Sequence, residues 1–325
     1  MKNLPYNCQY SRSKRLTLIA CFLLIVAFCQ SALAINWDSI PGQQLTLFYP
    51  GQKSMEWVLT KADHGGAKNI RKGKRCLECH ADEEQEIGAT QLADSQKLSA
   101  LLTGKPGSIN ALVKMAYDQN DFHVQISWKD GKTDSAKKMD AKYASRVTLM
   151  LDDGHVRAAT LAGCWATCHD DAIDMPSAPQ ETEISKYLAK SRTKLKRSGG
   201  GESYKKPEEL SKLMADGVFM EYWQARLNVG QPPVPIDGYI LDKRHTNDTP
   251  VVATKAEYKD GKWIVEFSRK RVIDQPKHKN IVAGQTYTIG FAIHDDFANH
   301  RHHFVSFGRS FVLDEGDADI VVKHL

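Results

Sequence analysis

Cysteine placement constrains this chain more than any other feature. Of seven cysteines in 325 residues, Cys8, Cys21 and Cys29 lie near the N-terminus; the other four form two close pairs, each followed at once by a histidine. They read Cys76-Leu-Glu-Cys79-His80 and Cys164-Trp-Ala-Thr-Cys168-His169. Four cysteines in an exported chain ordinarily suggest two disulfides, but the adjoining histidines suit other chemistry. Cys-x-x-Cys-His is the spacing for covalent attachment of haem c. On a helical turn residues i and i+3 face nearly the same side, so both thiols can add to the two vinyl groups of one macrocycle, and the histidine offers a proximal nitrogen to the iron. A redox dithiol or a zinc knuckle is the alternative, although a knuckle needs two further Cys or His ligands at knuckle spacing. The second pair has one residue more. Positions i and i+4 are also helical neighbours, about 40° apart around the axis, so a helix would still turn both sulfurs toward one ring. A Cys164–Cys168 disulfide and a non-covalent haem held by His169 alone are the alternatives there. The expected cofactors are two haem c groups with their iron, covalently attached, or one covalent and one not.

Residues 1–34 carry Lys2, Arg12, Lys14 and Arg15 and no acid, then an apolar run from Leu16 to Cys29 and an Ala-x-Ala signal at Ser31-Ala32-Leu33-Ala34. Fourteen apolar residues are too few for a bilayer core, which needs roughly 20. The pattern predicts a signal peptide cleaved after Ala34, a periplasmic location in a bacterium, and no permanent membrane anchor. Removing those four positive charges takes the formal charge from +5 to +1. A nearly neutral body offers no electrostatic footprint for nucleic acid. At 42% hydrophobic and 26% charged residues, neither a polytopic membrane protein nor a disordered polymer is expected.

Past the leader, residues 35–104 read as a small, mostly helical N-terminal c-type haem segment, with helical patterning in Gln91–Leu102 and a Gly104-Lys-Pro-Gly107 break behind it. From Ser108 the period changes to two. Ala111–Tyr117, Phe122–Trp128, Arg146–Leu151, Val251–Tyr258, Trp263–Ser268, Tyr287–Ile293 and Phe304–Leu313 read as strands, so residues 105–325 are expected to form an antiparallel β-sandwich with helical insertions. One insertion is a helix over Pro207–Leu227, with Pro in its first turn, Glu208 and Glu209 at the positive end of its dipole, and Leu210, Leu213, Met214 and Val218 at helical spacing. Lys186 to Arg197 carries six positive residues and no acid, which predicts a solvated loop or a docking patch for an acidic redox partner.

Several stretches carry a family resemblance: Trp57-Val-Leu-Thr, Asp63-His64-Gly-Gly-Ala67, the two cysteine motifs, Gly261-Lys-Trp-Ile-Val-Glu-Phe-Ser-Arg269 and Gly290-Phe-Ala-Ile-His-Asp-Asp296. Over roughly residues 52–313 the chain resembles exported cytochromes built on the haem-binding domain of ethylbenzene dehydrogenase gamma subunits, a family that includes the corresponding subunits of dimethylsulfide dehydrogenase and other molybdenum enzymes. The resemblance implies a β-sandwich cradling haem and an electron carrier, not an oxidising active site. It also implies exported redox proteins, or a molybdenum enzyme, as partners. The chain departs from the gamma subunits in its N-terminal haem segment and in the cysteines at the second site.

Beyond the proximal His80 and His169, ten histidines remain. His64 is the favoured distal ligand of the first haem, because Gly65-Gly66-Ala67 lets a macrocycle approach the backbone. For the second haem the place to look is His294, His300, His302 and His303. Period two puts His303 with Val305 and Phe307, and His302 with Phe304 and Ser306. His303 is preferred, then His294 and His302, with Met214 or Met220 as sulfur alternatives. Bis-histidine ligation would leave no open iron position. The expectation is therefore outer-sphere electron transfer with no catalytic residues. The rivals are a haem enzyme resembling a peroxidase or nitrite reductase, with one iron open, and an electron-transfer subunit of a molybdenum oxidoreductase.

Overall fold

The computed structural model describes residues 35–51, 55–59, 64–96, 104–131, 142–169, 186–194, 204–295 and 302–325. The predicted leader and its cleavage site lie outside these residues, as does His300. Fifteen strands are formed among them: β1 (Gly42–Phe48), β2 (Ser108–Tyr117), β3 (Asp121–Lys129), β4 (Ser145–Asp152), β5 (Thr167–His169), β6 (Lys186–Leu188), β7 (Met220–Leu227), β8 (Val234–Ile240), β9 (Arg244–Thr246), β10 (Ala253–Lys259), β11 (Lys262–Lys270), β12 (Tyr287–His294), β13 (Phe304–Val305), β14 (Arg309–Leu313) and β15 (Ile320–His324). β5 and β6 pair only with each other; the other thirteen belong to one sheet.

Alternation builds the core. Ala111, Val113, Met115 and Tyr117 of β2 face inward with Phe122, Val124, Ile126 and Trp128 of β3, and Trp263, Val265 and Phe267 of β11 continue the same layer. The sheet then closes on itself. β2 pairs with β1, β1 with β13, β13 with β12, β12 with β14, β14 with β15, and β15 returns to β2, the last two pairings being parallel. Two wings extend from this six-strand ring, β3–β11–β10 from β2 and β4–β7–β8–β9 from β12.

The expected antiparallel sandwich is thus corrected to a closed barrel with wings. A sandwich needs two sheets with free edges, and two short strands remove that possibility. β13, only two residues long, joins β1 to β12, and β15 inserts in parallel between β14 and β2. The expected mostly helical N-terminal segment is corrected for the same reason. β1 lies inside the ring, paired along its whole length from Gly42↔Lys114 to Phe48↔Ser108, and the helices after it, Met55–Val58, Ala67–Arg71, Leu77–His80 and Glu84–Gln96, are mostly single turns. Closure is how a β protein disposes of exposed edges.

Two further readings change. The helix at Pro207 stops at Ala215, and Met220–Leu227 is strand β7, buried almost throughout. Gly217, at φ +76°, makes the left-handed turn that ends the helix. Of the basic run, Lys186–Leu188 is β6, and Arg192 is buried between the rings of Tyr187 and Tyr204, 3.9 and 3.7 Å from their centroids. Residues 195–197 lie outside the described residues.

Candidate functional site

Two apolar clusters lie beside the main core, one on β1, β12 and β13 of the ring and one on the β4–β7–β8 wing, and the two cysteine motifs sit in them. The first contains Phe48, Cys76, Leu77, Leu161, Ala162, Tyr187, Ala292, Val305 and Phe307; the second contains Met150, Cys164, Met220, Tyr222 and Tyr239. The motifs are neighbours, since the Cys76 backbone N–H donates to the carbonyl of Leu161 at 2.9 Å.

The first motif forms the helical turn its spacing demands. The carbonyl of Cys76 accepts from the N–H groups of Cys79 (3.1 Å) and His80 (3.0 Å), which puts both thiols on one side. Arg75 ties this turn to the C-terminal strands through a two-pronged ion pair with Asp319, at 2.6 and 3.2 Å. Cys76 is buried and Cys79 exposed, and neither is in a disulfide. Burial pushes the Cys76 thiol up to about 11.

This turn walls a cavity of about 420 Å³, lined by Cys76, Cys79 and His80 on one side, His64, Gly65 and Gly66 on another, and apolar Trp57, Ile87, Trp165 and Phe307. The His64 and His80 rings lie 6.1 Å apart, centroid to centroid. Two metal–imidazole bonds of about 2.0 Å each, extended to the ring centres, span about 6 Å. A haem iron between these rings therefore fits, with Cys76 and Cys79 placed to hold the macrocycle. His64 Nδ1 is buried without a hydrogen-bond partner among the described residues. Burial, and then the nearby His80, hold the His64 imidazole below its ordinary value, in the neutral form that binds metal. A Cβ on Gly66 would come 2.8 Å from His64 Cε1, so glycine there gives the ring its room. The His80 Nδ1 lies 2.7 Å from Glu83 Oε2; with Nδ1–H donating to that carboxylate, Nε2 is the nitrogen left for a metal. Glu83 and Ile87 are absent from the sequence expectations, and Trp57, Trp165 and Phe307 appear there only in the resemblance, inside the second motif and on the strand face of His303 respectively, not at the first site. Glu83 alone had a legible signal, an acid three residues after the ligand.

The second motif is not the expected helix. Gly163–Ala166 is a 3-10 turn and Thr167–His169 is β5, with Cys168 paired to Tyr187. Gly163, at φ +59°, ends the preceding helix in a conformation that cannot propagate it, so Cys164 and Cys168 do not share an i,i+4 helical face. Cys164 is buried, is in no disulfide, and has its thiol pushed up to about 12 by burial. It sits against β12, where a Cβ on Gly290 would come 2.9 Å from its Sγ. The side chains of Cys168 and His169 lie outside the described residues.

His294 and His303 come together at the end of β12, their rings stacked 4.8 Å apart at 8°, on the strand face that also carries Ala292 and Val305. Rings that close and parallel leave no room for an iron between them, so the two could not flank one iron. His302 is engaged elsewhere: its Nε2 donates to the Pro106 carbonyl at 3.0 Å and its ring stacks on Tyr49 at 5.1 Å. Met220, and Met214 at its edge, belong to the cluster around Cys164. His123, His155, His245, His278 and His324 each pair with a nearby polar group, Ser268, Asp153, Asp242, Glu221 and the Leu325 carbonyl respectively.

An apolar cavity walled by a Cys-x-x-Cys-His turn, with a second imidazole at metal-bridging distance, defines a haem-binding cytochrome. Residues 232–306 match the family model described as ethylbenzene dehydrogenase. The chain is 32% identical over 301 residues to cytochrome c-552 of Stutzerimonas stutzeri, covering 90% of this chain and 94% of that one. It is 27% identical over 277 residues to cytochrome c-551 of Rhodocyclus tenuis, covering 85% and 93%. The chain belongs to this family of cytochromes with an ethylbenzene dehydrogenase-type haem-binding domain, and is a haem c electron-transfer protein. Among solved structures, a family 9 carbohydrate-binding module of Caldicellulosiruptor kristjanssonii in complex with cellotriose aligns at TM-score 0.28 and 11% identity, over 62% of this chain and 65% of that one. A likeness that loose establishes neither a shared fold nor a shared ligand. Among the described residues no helix is long and apolar enough to cross a membrane.

Proposed function

We propose that this protein is an exported, periplasmic dihaem cytochrome c that carries electrons between redox proteins and has no substrate-converting site of its own. The observation carrying the reading is the pair His64 and His80, 6.1 Å apart across an apolar cavity whose wall holds Cys76 and Cys79. Bound haem supplies a one-electron ferric/ferrous couple at each site. Cys76 and Cys79 tether the first macrocycle as thioethers. Glu83 holds the His80 ring so that its Nε2 would be the nitrogen offered to an iron, and His64, across the cavity, would offer the second imidazole. Trp57, Ile87 and Phe307 exclude water and lower the local dielectric. An iron held by both imidazoles would have no coordination position left for peroxide or nitrite. At the second site Cys164, Cys168 and His169 would attach the macrocycle, and His303, or His294 stacked on it, would offer the second imidazole. Small exported redox proteins are the expected partners.

A pyridine haemochrome assay with intact mass on the mature protein tests this. Two haem c groups are expected, falling to one in Cys164→Ala/Cys168→Ala, with poor carbon monoxide binding by the reduced protein. A wild-type mass carrying a single haem would overturn the dihaem reading. A full equivalent of iron binding carbon monoxide, with peroxide or nitrite turnover at roughly 1–1000 per second, would replace the carrier with an open-haem enzyme.

A further inference from the structure

The 3-10 turn that holds the second motif sends two consecutive side chains into different clusters. Cys164 enters the cluster of Met150 and Tyr222, whereas Trp165 packs with the neighbouring one and lines the cavity of the first motif beside Cys76, Cys79 and His80. Nothing in the spacing Cys-x-x-x-Cys-His requires an aromatic residue at this place, still less one that belongs to the other site. Trp165 also begins a run of ring contacts. Its indole meets Phe48 edge-on at 5.9 Å, Phe48 meets Phe307 at 4.7 Å, and Phe307 stacks on His80 at 6.2 Å and 21°. The backbone hydrogen bond from Cys76 to Leu161 fixes the two segments against each other, so the contacts are part of the packed core.

We infer that Trp165 is the electronic bridge between the two haem sites, bonded through the chain to the attachment cysteine of the second and packed into the cavity of the first. The inference rests on the dihaem reading above. Electron tunnelling decays more slowly through covalent bonds and packed π systems than across gaps, and from Cys164 to the first cavity the route is one peptide unit and one indole. The step moves one electron and no proton. Ferrous iron at one site becomes ferric as ferric iron at the other becomes ferrous, and the indole ends unchanged.

The test compares purified, haem-loaded full-length mature protein with Trp165→Leu and Trp165→Phe. Each is given less than one electron per molecule by pulse radiolysis, and haem content and absorption spectra are read on the same samples. The wild type should show a reduction phase followed by a second phase whose rate is independent of protein concentration. In Trp165→Leu that second phase should slow by about tenfold, equivalent to about 1.4 kcal/mol of activation free energy, with two haems and an unaltered low-spin spectrum. Trp165→Phe, which keeps a ring in place, should stay near wild type. Absence of the concentration-independent phase in the wild type, or an unchanged rate in a Trp165→Leu variant holding two haems, overturns the bridge. So does a slowing accompanied by haem loss or a changed spectrum, which would make Trp165 a packing residue. A single haem in the wild type is a different result, because it removes the dihaem reading itself.

Discussion

His64 is where a single side chain decides what the first site can do. Its ring is held by glycine on one side and faces His80 on the other, and burial keeps it neutral. If two haem c groups are held as proposed, attachment depends on Cys76 and Cys79, which a change at 64 does not touch, so ligation and attachment are separable. His64→Ala should keep both thioether bonds, seen as an unchanged mass, while one of the two haems moves from low-spin to high-spin or water-ligated absorption and begins to bind carbon monoxide. Low-spin spectra identical to wild type would assign the distal position to another residue. The first site was legible because its chemistry is local: Cys-x-x-Cys-His makes its own helical turn, and the small residues after His64 mark a close approach. What stayed hidden was assembled by the sheet. Trp165 and Phe307 are 85 and 227 residues from His80 in sequence and reach it only because β13 and the 3-10 turn meet on one face.

At the scale of elements, the seat of the second motif depends on glycine packed against glycine. A Cβ on Gly163 would fall 2.6 Å from the Gly308 backbone, and Gly163 also holds φ +59°. Gly163→Ala combines a conformation that disfavours a side chain with a backbone clash, together costing on the order of 1–3 kcal/mol. The 3-10 turn should lift from β12 and β14. The expected result is a melting temperature below wild type and, on the dihaem proposal, partial loss of haem at the second site with the first site still loaded by mass. A variant that melts with wild type and holds two haems would show that the turn adjusts freely. The same turn explains a failure of sequence reading. Helical spacing of Cys164 and Cys168 required a continuous helix, and Gly163 and the β5–β6 pairing prevent one. Strands with one polar face were read close to their limits, as at Phe122–Trp128 within Asp121–Lys129. The helical reading of β7 fails because strands buried on both faces lose the alternation that marks them; the single strand expected over Phe304–Leu313 is instead β13 (Phe304–Val305) and β14 (Arg309–Leu313), and β15 has no counterpart in the sequence reading.

Across the whole molecule, the two wings of the sheet are joined to each other by buried charge. Glu221, fully buried, accepts from Arg269 (2.6 Å), Trp223 (2.7 Å) and the Lys279 backbone (2.5 Å), which joins β7, β11 and the loop before β12. Lys279 continues the network to Asp153 at 2.5 Å and the Gly217 carbonyl at 2.6 Å, with Asp152 at 3.9 Å. Asp152 is the member of this network that titrates in a measurable range. Burial pushes its carboxyl up to about 6, against the opposing pull of Lys279, with Asp153 adding repulsion. In the unfolded chain its value is about 3.9. Below about pH 4 the group is protonated in both states. Between about 4 and 6 the folded protein keeps a proton that the unfolded chain releases, so the contribution of Asp152 to stability falls as pH rises through this window and levels off above it. Asp152→Asn cannot ionise, yet retains an oxygen to accept from the Gly154 and Val156 N–H groups that Asp152 serves. The stability of Asp152→Asn relative to wild type should therefore rise from pH 4 to pH 6, by up to about 3 kcal/mol, and stay constant from 6 to 7. Urea unfolding at pH 4, 5, 6 and 7 measures it. A difference that is flat across the window would mean that Lys279 holds Asp152 ionised in the folded protein, and that the ion pair outweighs the cost of burial.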